Sequence, residues 1–267
     1  MAASRALRVR RLIAAVWPPV AFGIAFLALW ELAVVVFGWK PYFLPKPSEI
    51  WTQFVDNFSL VREAAIVSGR NALVGLLAGT ALGIAVSFLL MRFRLLNDML
   101  NPLAIALNAI PIIVLVSVFN NMFAITSEIP RRIMVTLVVY FIVLINVARG
   151  LRQVEATHLE LLRSYAATPV QLLSKARIPS AVPYLFTAIR VAAPNAVIVA
   201  FVAEYFGGPQ TGLGFRITSN LSTSKNALAW AYVVGACLLG LIFYLLSILL
   251  ERITTHQRGA SPGGGPT

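Results

Sequence analysis

The 267-residue chain carries 22 Lys and Arg against 10 Asp and Glu, a formal charge of +12, yet 59% of its residues are hydrophobic and only 12% charged. So apolar a composition excludes a soluble domain and makes the class polytopic membrane protein. One cysteine, Cys237, and two histidines, His158 and His256, argue against a disulfide framework or a Cys/His metal cage. The basic residues lie between apolar runs, so membrane topology rather than nucleic acid accounts for the charge.

Residues 1–15 read as a basic cytoplasmic arm holding Arg5, Arg8, Arg10 and Arg11. A helix needs about 20 apolar residues to cross a bilayer. Six stretches qualify, at 16–38, 71–91, 99–119, 133–148, 183–206 and 228–250, predicting an all-α domain of about six transmembrane helices over 16–253. The first contains Trp30-Glu31 and lacks a small-x-small cleavage site, so it is read as an uncleaved anchor rather than a signal peptide. The segment that follows, Pro41 to Pro47, is proline-rich and extended, with Ser48 expected to cap a short helix through Phe54.

In the second span Gly75, Gly79 and Gly83 share a face where another backbone can approach closely. The third span holds Pro102, Asn108 and Pro111; mid-span prolines bend a helix and suit one that lines a cavity. Asn120-Asn121 then opens a short external loop ending in Arg131-Arg132.

The hydrophilic stretch 157–179 between the fourth and fifth spans carries two helix-start signatures, Thr157-x-x-Glu160 and Thr168-Pro169-x-Gln171. In each, the hydroxyl accepts from the third helical N–H while the Glu or Gln reaches back. Pro169 fits a first helical position, and Ile178-Pro179 is expected to stop the second helix. Leu159, Leu162 and Tyr165 or Ala166 share one face, with Arg163 and Lys175 towards its rim, an apolar stripe suited to a groove. Two short helices on a compact loop make a docking surface.

In the fifth span Arg190 lies two turns from the end and is expected to snorkel to the interface, while Glu204 is expected to anchor the GLGF segment. Gly207, Gly208, Gly212 and Gly214 read as an external re-entrant turn, since no strand precedes them and no Lys-Ser/Thr follows. Asn108, Pro111, Asn120, Asn121, Arg190 and Glu204 are the pathway or gate candidates. Trp17, Trp30, Trp39 and Trp230 fit an interfacial belt, and 254–267 is expected to be a disordered tail. The Lys/Arg bias predicts both termini and the 157–179 loop on the cytoplasmic side, with Arg131-Arg132 opposing it locally.

The 157–179 loop resembles the EAA motif of binding-protein-dependent ABC importer permeases. Glu160-Leu161-Leu162 stands for E-A-A, Ala166 occupies the glycine position, Ala176 the Ile position, and Ile178-Pro179 the Leu-Pro. WELA at 30–33, FLPKPSEI at 43–50 and VAEYFGGPQTGLGFRI at 202–217 are similar to the nitrate/sulfonate/taurine-type branch. An Ala at the glycine position costs about 1 kcal/mol where the turn needs positive φ.

The resemblance implies a bacterial inner-membrane pore subunit with no catalytic residues and no bound cofactor. Two permease copies would pair with a cytoplasmic ABC ATPase dimer, which binds ATP-Mg, and receive solute from an extracytoplasmic binding protein. The loop would insert into a cleft on the ATPase. The branch suggests a small organic anion such as a sulfonate, taurine or nitrate; related permeases also move aromatic or pyrimidine vitamin precursors, to which Phe119, Phe123, Tyr140 and Phe141 lean. The competing readings are an ion-coupled carrier, which would place carboxylates near mid-bilayer, an intramembrane metalloprotease, which would need His within the spans, and a structural scaffold.

Overall fold

A computed structural model describes residues 2–93, 110–124 and 126–256. The chain is all helical there: α1 Ala2–Val36, α2 Pro47–Asp56, α3 Phe58–Arg92, α4 Ile112–Met122, α5 Ile129–Arg152, α6 Ala156–Ser164, α7 Pro169–Leu172, a π-helical turn Leu173–Arg177, α8 Ile178–Tyr205, α9 Gly212–Ser222 and α10 Asn226–His256. Five helical stretches among the described residues are long and apolar enough to cross a membrane: Trp17–Val36, Phe58–Met91, Ile129–Arg152, Pro169–Tyr205 and Asn226–Thr254. Most of the third predicted span lies outside the described residues, Pro102 and Asn108 with it. Its remainder, α4, has 11 residues, too few to cross alone. Pro111 is the N-cap of α4, so it bounds that helix instead of bending it. The predicted tail falls outside the description from residue 257 onward; α10 itself runs to His256.

The predicted arm 1–15 is not separate from the first span, because α1 runs unbroken from Ala2. The second helix starts two residues earlier than a cap at Ser48 predicts. Pro47 takes the first helical position, where its missing N–H is harmless. The capping comes from outside the element: Glu31 of α1 accepts from Ser48 N at 3.0 Å and from Ser48 Oγ at 2.7 Å. A carboxylate at a helix N-terminus is favoured by the exposed amides and the helix dipole.

The core is built on α3, α5 and α8. A Cβ on Gly75 would lie 2.4 Å from Val135 Cβ, one on Gly79 2.6 Å from Thr136 O, and one on Gly83 2.8 Å from Val143 Cβ. The matching increments show that α3 and α5 run parallel in near backbone contact. Ser87 Oγ donates across the pair to Leu144 O at 3.2 Å. α8 returns antiparallel, meeting α5 at one end where a Cβ on Gly150 would lie 2.8 Å from Ala181 Cα. Its Ala188, Ala192, Ala196 and Ala200 are fully buried against Met134, Val139 and Val143. A second cluster, Phe54, Val61, Leu213, Ile217 and Tyr232, seats α2, α9 and α10.

α1 ends near Tyr42, whose carbonyl accepts from Asn226 at the start of α10. Both ends of the described chain therefore lie on the same side as the α6–α7 hairpin. The tryptophans differ in their packing. Trp17 is 65% exposed, whereas Trp30 and Trp230 pack edge to face at 5.4 Å, tying α1 to α10.

Candidate functional site

The hairpin between α5 and α8 projects from the bundle. Thr157 does not cap α6. The helix begins at Ala156 with Glu155 as N-cap, whose carbonyl accepts from His158 N and Leu159 N, and no side chain caps it. Only residues 153–155 separate α5 from α6, so the chain re-enters helical geometry before Thr157 can stand outside it. Glu160 is thereby relieved of the predicted capping role and lies exposed beside Arg163.

The C-terminus of α6 is a Schellman motif. Ala167 N donates to Leu162 O at 3.0 Å and Ala166 N to Arg163 O at 2.9 Å, with Ala166 itself at φ 53°. This is the left-handed conformation that favours glycine, held here by alanine at about 1–2 kcal/mol. The second capping box is complete: Gln171 N donates to Thr168 Oγ1 at 3.3 Å, and Thr168 N to Gln171 Oε1 at 2.8 Å, with Pro169 first in the helix.

Pro179 does not end that helix. α7 passes through the π-helical turn into α8, so Pro169–Tyr205 is one rod. In the wider turn Ile178 N bonds back to Leu173 O. The ladder is already displaced there, so the N–H that Pro179 lacks falls at the start of a new α-helical register, where proline is tolerated.

The predicted apolar stripe divides between two faces. Leu159 and Leu162 are half-buried, whereas Leu161 (52%), Tyr165 (76%) and Val170 (72%) are exposed. Leu161 and Tyr165, four apart on α6, are therefore exposed together, and Val170 and Ile178 are exposed on the segment that follows. A cleft of about 470 Å³ within the hairpin is lined by Val154, His158, Leu161 and Leu162 from the α6 side and by Lys175, Ala176 and Ser180 from the other.

The pathway candidates divide in the same way. Asn121 bonds back onto its own helix, donating to Ser117 O at 2.9 Å, and Asn120 sits half-buried beside Gly207 and Gly208. Arg190 does not simply snorkel; it is ion-paired with Glu251, bracing α8 against α10. Glu204, 1% exposed, accepts from Gly214 N at 3.1 Å and Ser68 Oγ at 2.6 Å. Ser68 Oγ accepts in turn from Leu213 N at 2.9 Å. Gly212 and Gly214 thus open helix α9, and only 206–211 is turn, where a continuous re-entrant turn through Gly214 is predicted.

Sequence reasoning missed Arg131. It is fully buried, donating to Glu128 Oε2 at 2.8 Å and to Pro209 O at 2.5 Å. Its one signal in the sequence was that it broke the local charge bias. Arg131 Nε, Asn120 Nδ2 and Glu204 Oε1 are buried without partners, each at a cost of about 1–3 kcal/mol. Among the described residues no group of three or more His, Cys, Asp or Glu side chains converges.

Binding-protein-dependent transport system inner-membrane components match residues 75–258, more than half of the chain, and that stretch contains α5, the hairpin, α8 and α9. The chain belongs to this family. It is a membrane permease subunit of an ABC-type transporter. Permease subunits of this family are not catalytic, and ATP hydrolysis resides elsewhere. The formylaminopyrimidine transport permease protein of Halalkalibacterium halodurans is 29% identical over 248 residues, 90% of this permease and 95% of that one. The riboflavin transport system permease protein of Chloroflexus aurantiacus is 26% identical over 253 residues, 92% and 93% of the two chains. A putative aliphatic sulfonates transport permease protein of Bacillus subtilis is 26% identical over 197 residues, 74% and 71%. These relatives do not single out the nitrate/sulfonate/taurine-type branch.

Proposed function

We propose that this permease conducts its solute as one of two copies and couples to a cytoplasmic ABC ATPase dimer through the hairpin 157–179. Solute arrives from an extracytoplasmic binding protein, and the membrane is the bacterial plasma membrane, with both termini and the hairpin in the cytoplasm. The observation that carries the reading is the hairpin itself. It is held by a Schellman turn and a complete capping box, it presents Leu161, Tyr165 and Val170 to solvent, and it joins α8 as one rod. An apolar face on a stiff element suits a groove on a partner, and a stiff element with two positions transmits motion.

The solute is an uncharged aromatic heterocycle of the pyrimidine or flavin kind rather than a small anion. Arg131 and Arg190 are ion-paired with Glu128 and Glu251 within the chain, which makes them less available to an anion. The relatives named for a formylaminopyrimidine and for riboflavin support the same choice.

The test is co-purification of the tagged permease with the ATPase and binding protein encoded beside it. A detergent-stable complex with vanadate-sensitive hydrolysis is expected, and hydrolysis should rise when the binding protein carries a pyrimidine or flavin. A permease that captures no ATPase would overturn coupling through the hairpin.

A further inference from the structure

The end of the bundle opposite the hairpin is tied by one polar network that neither the coupling surface nor the core requires. Arg131 stands in the first turn of α5. Besides Glu128 and Pro209 O, it reaches Gly207 O at 3.5 Å and Thr211 Oγ1 at 3.4 Å. Thr211 leaves the N-cap of α9 uncapped and donates instead to Glu128 Oε1 at 3.1 Å. Asn71 of α3 donates to Glu128 Oε2 at 2.8 Å. One arginine and one glutamate thus hold the turn 207–211 down against α3 and α5.

The turn is shaped to be held. Gly207 and Gly208 adopt φ 138° and 88°, and Gly212 φ 87°. A Cβ on Gly212 would lie 2.4 Å from the Glu204 carboxylate. Yet the closed arrangement leaves donors unmet. Asn120 Nδ2 lies 3.0 Å from where a Cβ on Gly207 would stand, and Arg131 Nε 3.5 Å from that of Gly208. Lifting the turn would expose those buried donors to water, which removes the cost of leaving them unpaired.

We propose that Arg131, through Glu128, is a positioning residue that latches the turn 207–211 shut at the binding-protein side, and that the pathway opens there by release of this latch. The proposal rests on the transporter reading above. The expected trigger is docking of the solute-loaded binding protein on the turn, whose Gln210 and Thr211 are exposed.

The test uses the full complex in proteoliposomes, in a Cys237→Ala background because that is the chain's one cysteine. Glu128→Cys with Thr211→Cys is bridged by a short bis-thiosulfonate reagent. Transport should fall at least tenfold and return on reduction, while the ATPase stays bound throughout. Undiminished transport in the bridged complex overturns the proposal. Independently, Arg131→Met should raise ATP hydrolysis without binding protein severalfold, with Arg131→Lys in between. A loss of yield with no rise in basal hydrolysis would assign Arg131 to folding alone. Failure of the transporter reading looks different, since the unaltered permease would then capture no ATPase.

Discussion

Ala166 holds a left-handed backbone that a glycine would hold without strain. Ala166→Gly should therefore stabilise the hairpin by about 1 kcal/mol, read as slower proteolysis between α6 and α7 in detergent; faster cleavage would show that the Schellman turn is not strained. Glu160 is exposed and caps nothing, so Glu160→Lys should leave insertion and thermal stability unchanged, within about 0.5 kcal/mol. It should instead weaken ATPase capture in the co-purification, and full capture with full transport would remove Glu160 from the contact. At this scale the sequence was legible where a signal is local. Thr168, Pro169 and Gln171 are contiguous and make the box they spell. Thr157 and Ser48 were misread because the competing caps, Glu155 and the distant Glu31, depend on how neighbouring helices arrive. Arg131 was invisible for the same reason, its partners Pro209 and Thr211 being brought to it only by the antiparallel return of α8.

Helix α3 meets α5 through three glycines, and no rotamer change can make room there. Gly79→Leu places a side chain where even a Cβ would lie 2.6 Å from Thr136 O. Overpacking of this kind costs about 1–3 kcal/mol or more, so the variant should lose stability by at least that much in a detergent melt; an unshifted melt would mean that the two helices do not pack so closely in the bilayer. The glycine spacing was readable because it repeats every turn. The continuity of α7 with α8 was not, because a proline after an isoleucine looks like a stop, and a π-helical turn has no sequence signature strong enough to contradict it.

For the whole molecule, the relative sidedness of its ends follows from antiparallel packing, and the proposed absolute sense rests on the charge bias. A reporter fused after Glu251 should read as cytoplasmic, and so should one placed within the hairpin at Ser164. Opposite signals from the two fusions would contradict the packing of α5, α8 and α10, whereas two external signals would invert the proposed orientation alone. Fold class was legible because burial in lipid needs only length and composition; of the six predicted spans five are seen among the described residues, most of the third lying outside them. Solute identity was not, because it depends on a few polar groups whose partners the fold selects.

One helix stands apart from this core. From Trp17 onward α1 is largely exposed, with Phe22 at 75% and Leu29 at 68%, and its ties to the rest are concentrated near Glu31, Trp30 and Val34. We expect it to tilt as a lever about that tied end. A bilayer thinner or thicker than the helix can be met by tilting the lever about Glu31, so a change in lipid chain length falls on α1 before it strains the glycine-packed pair α3 and α5.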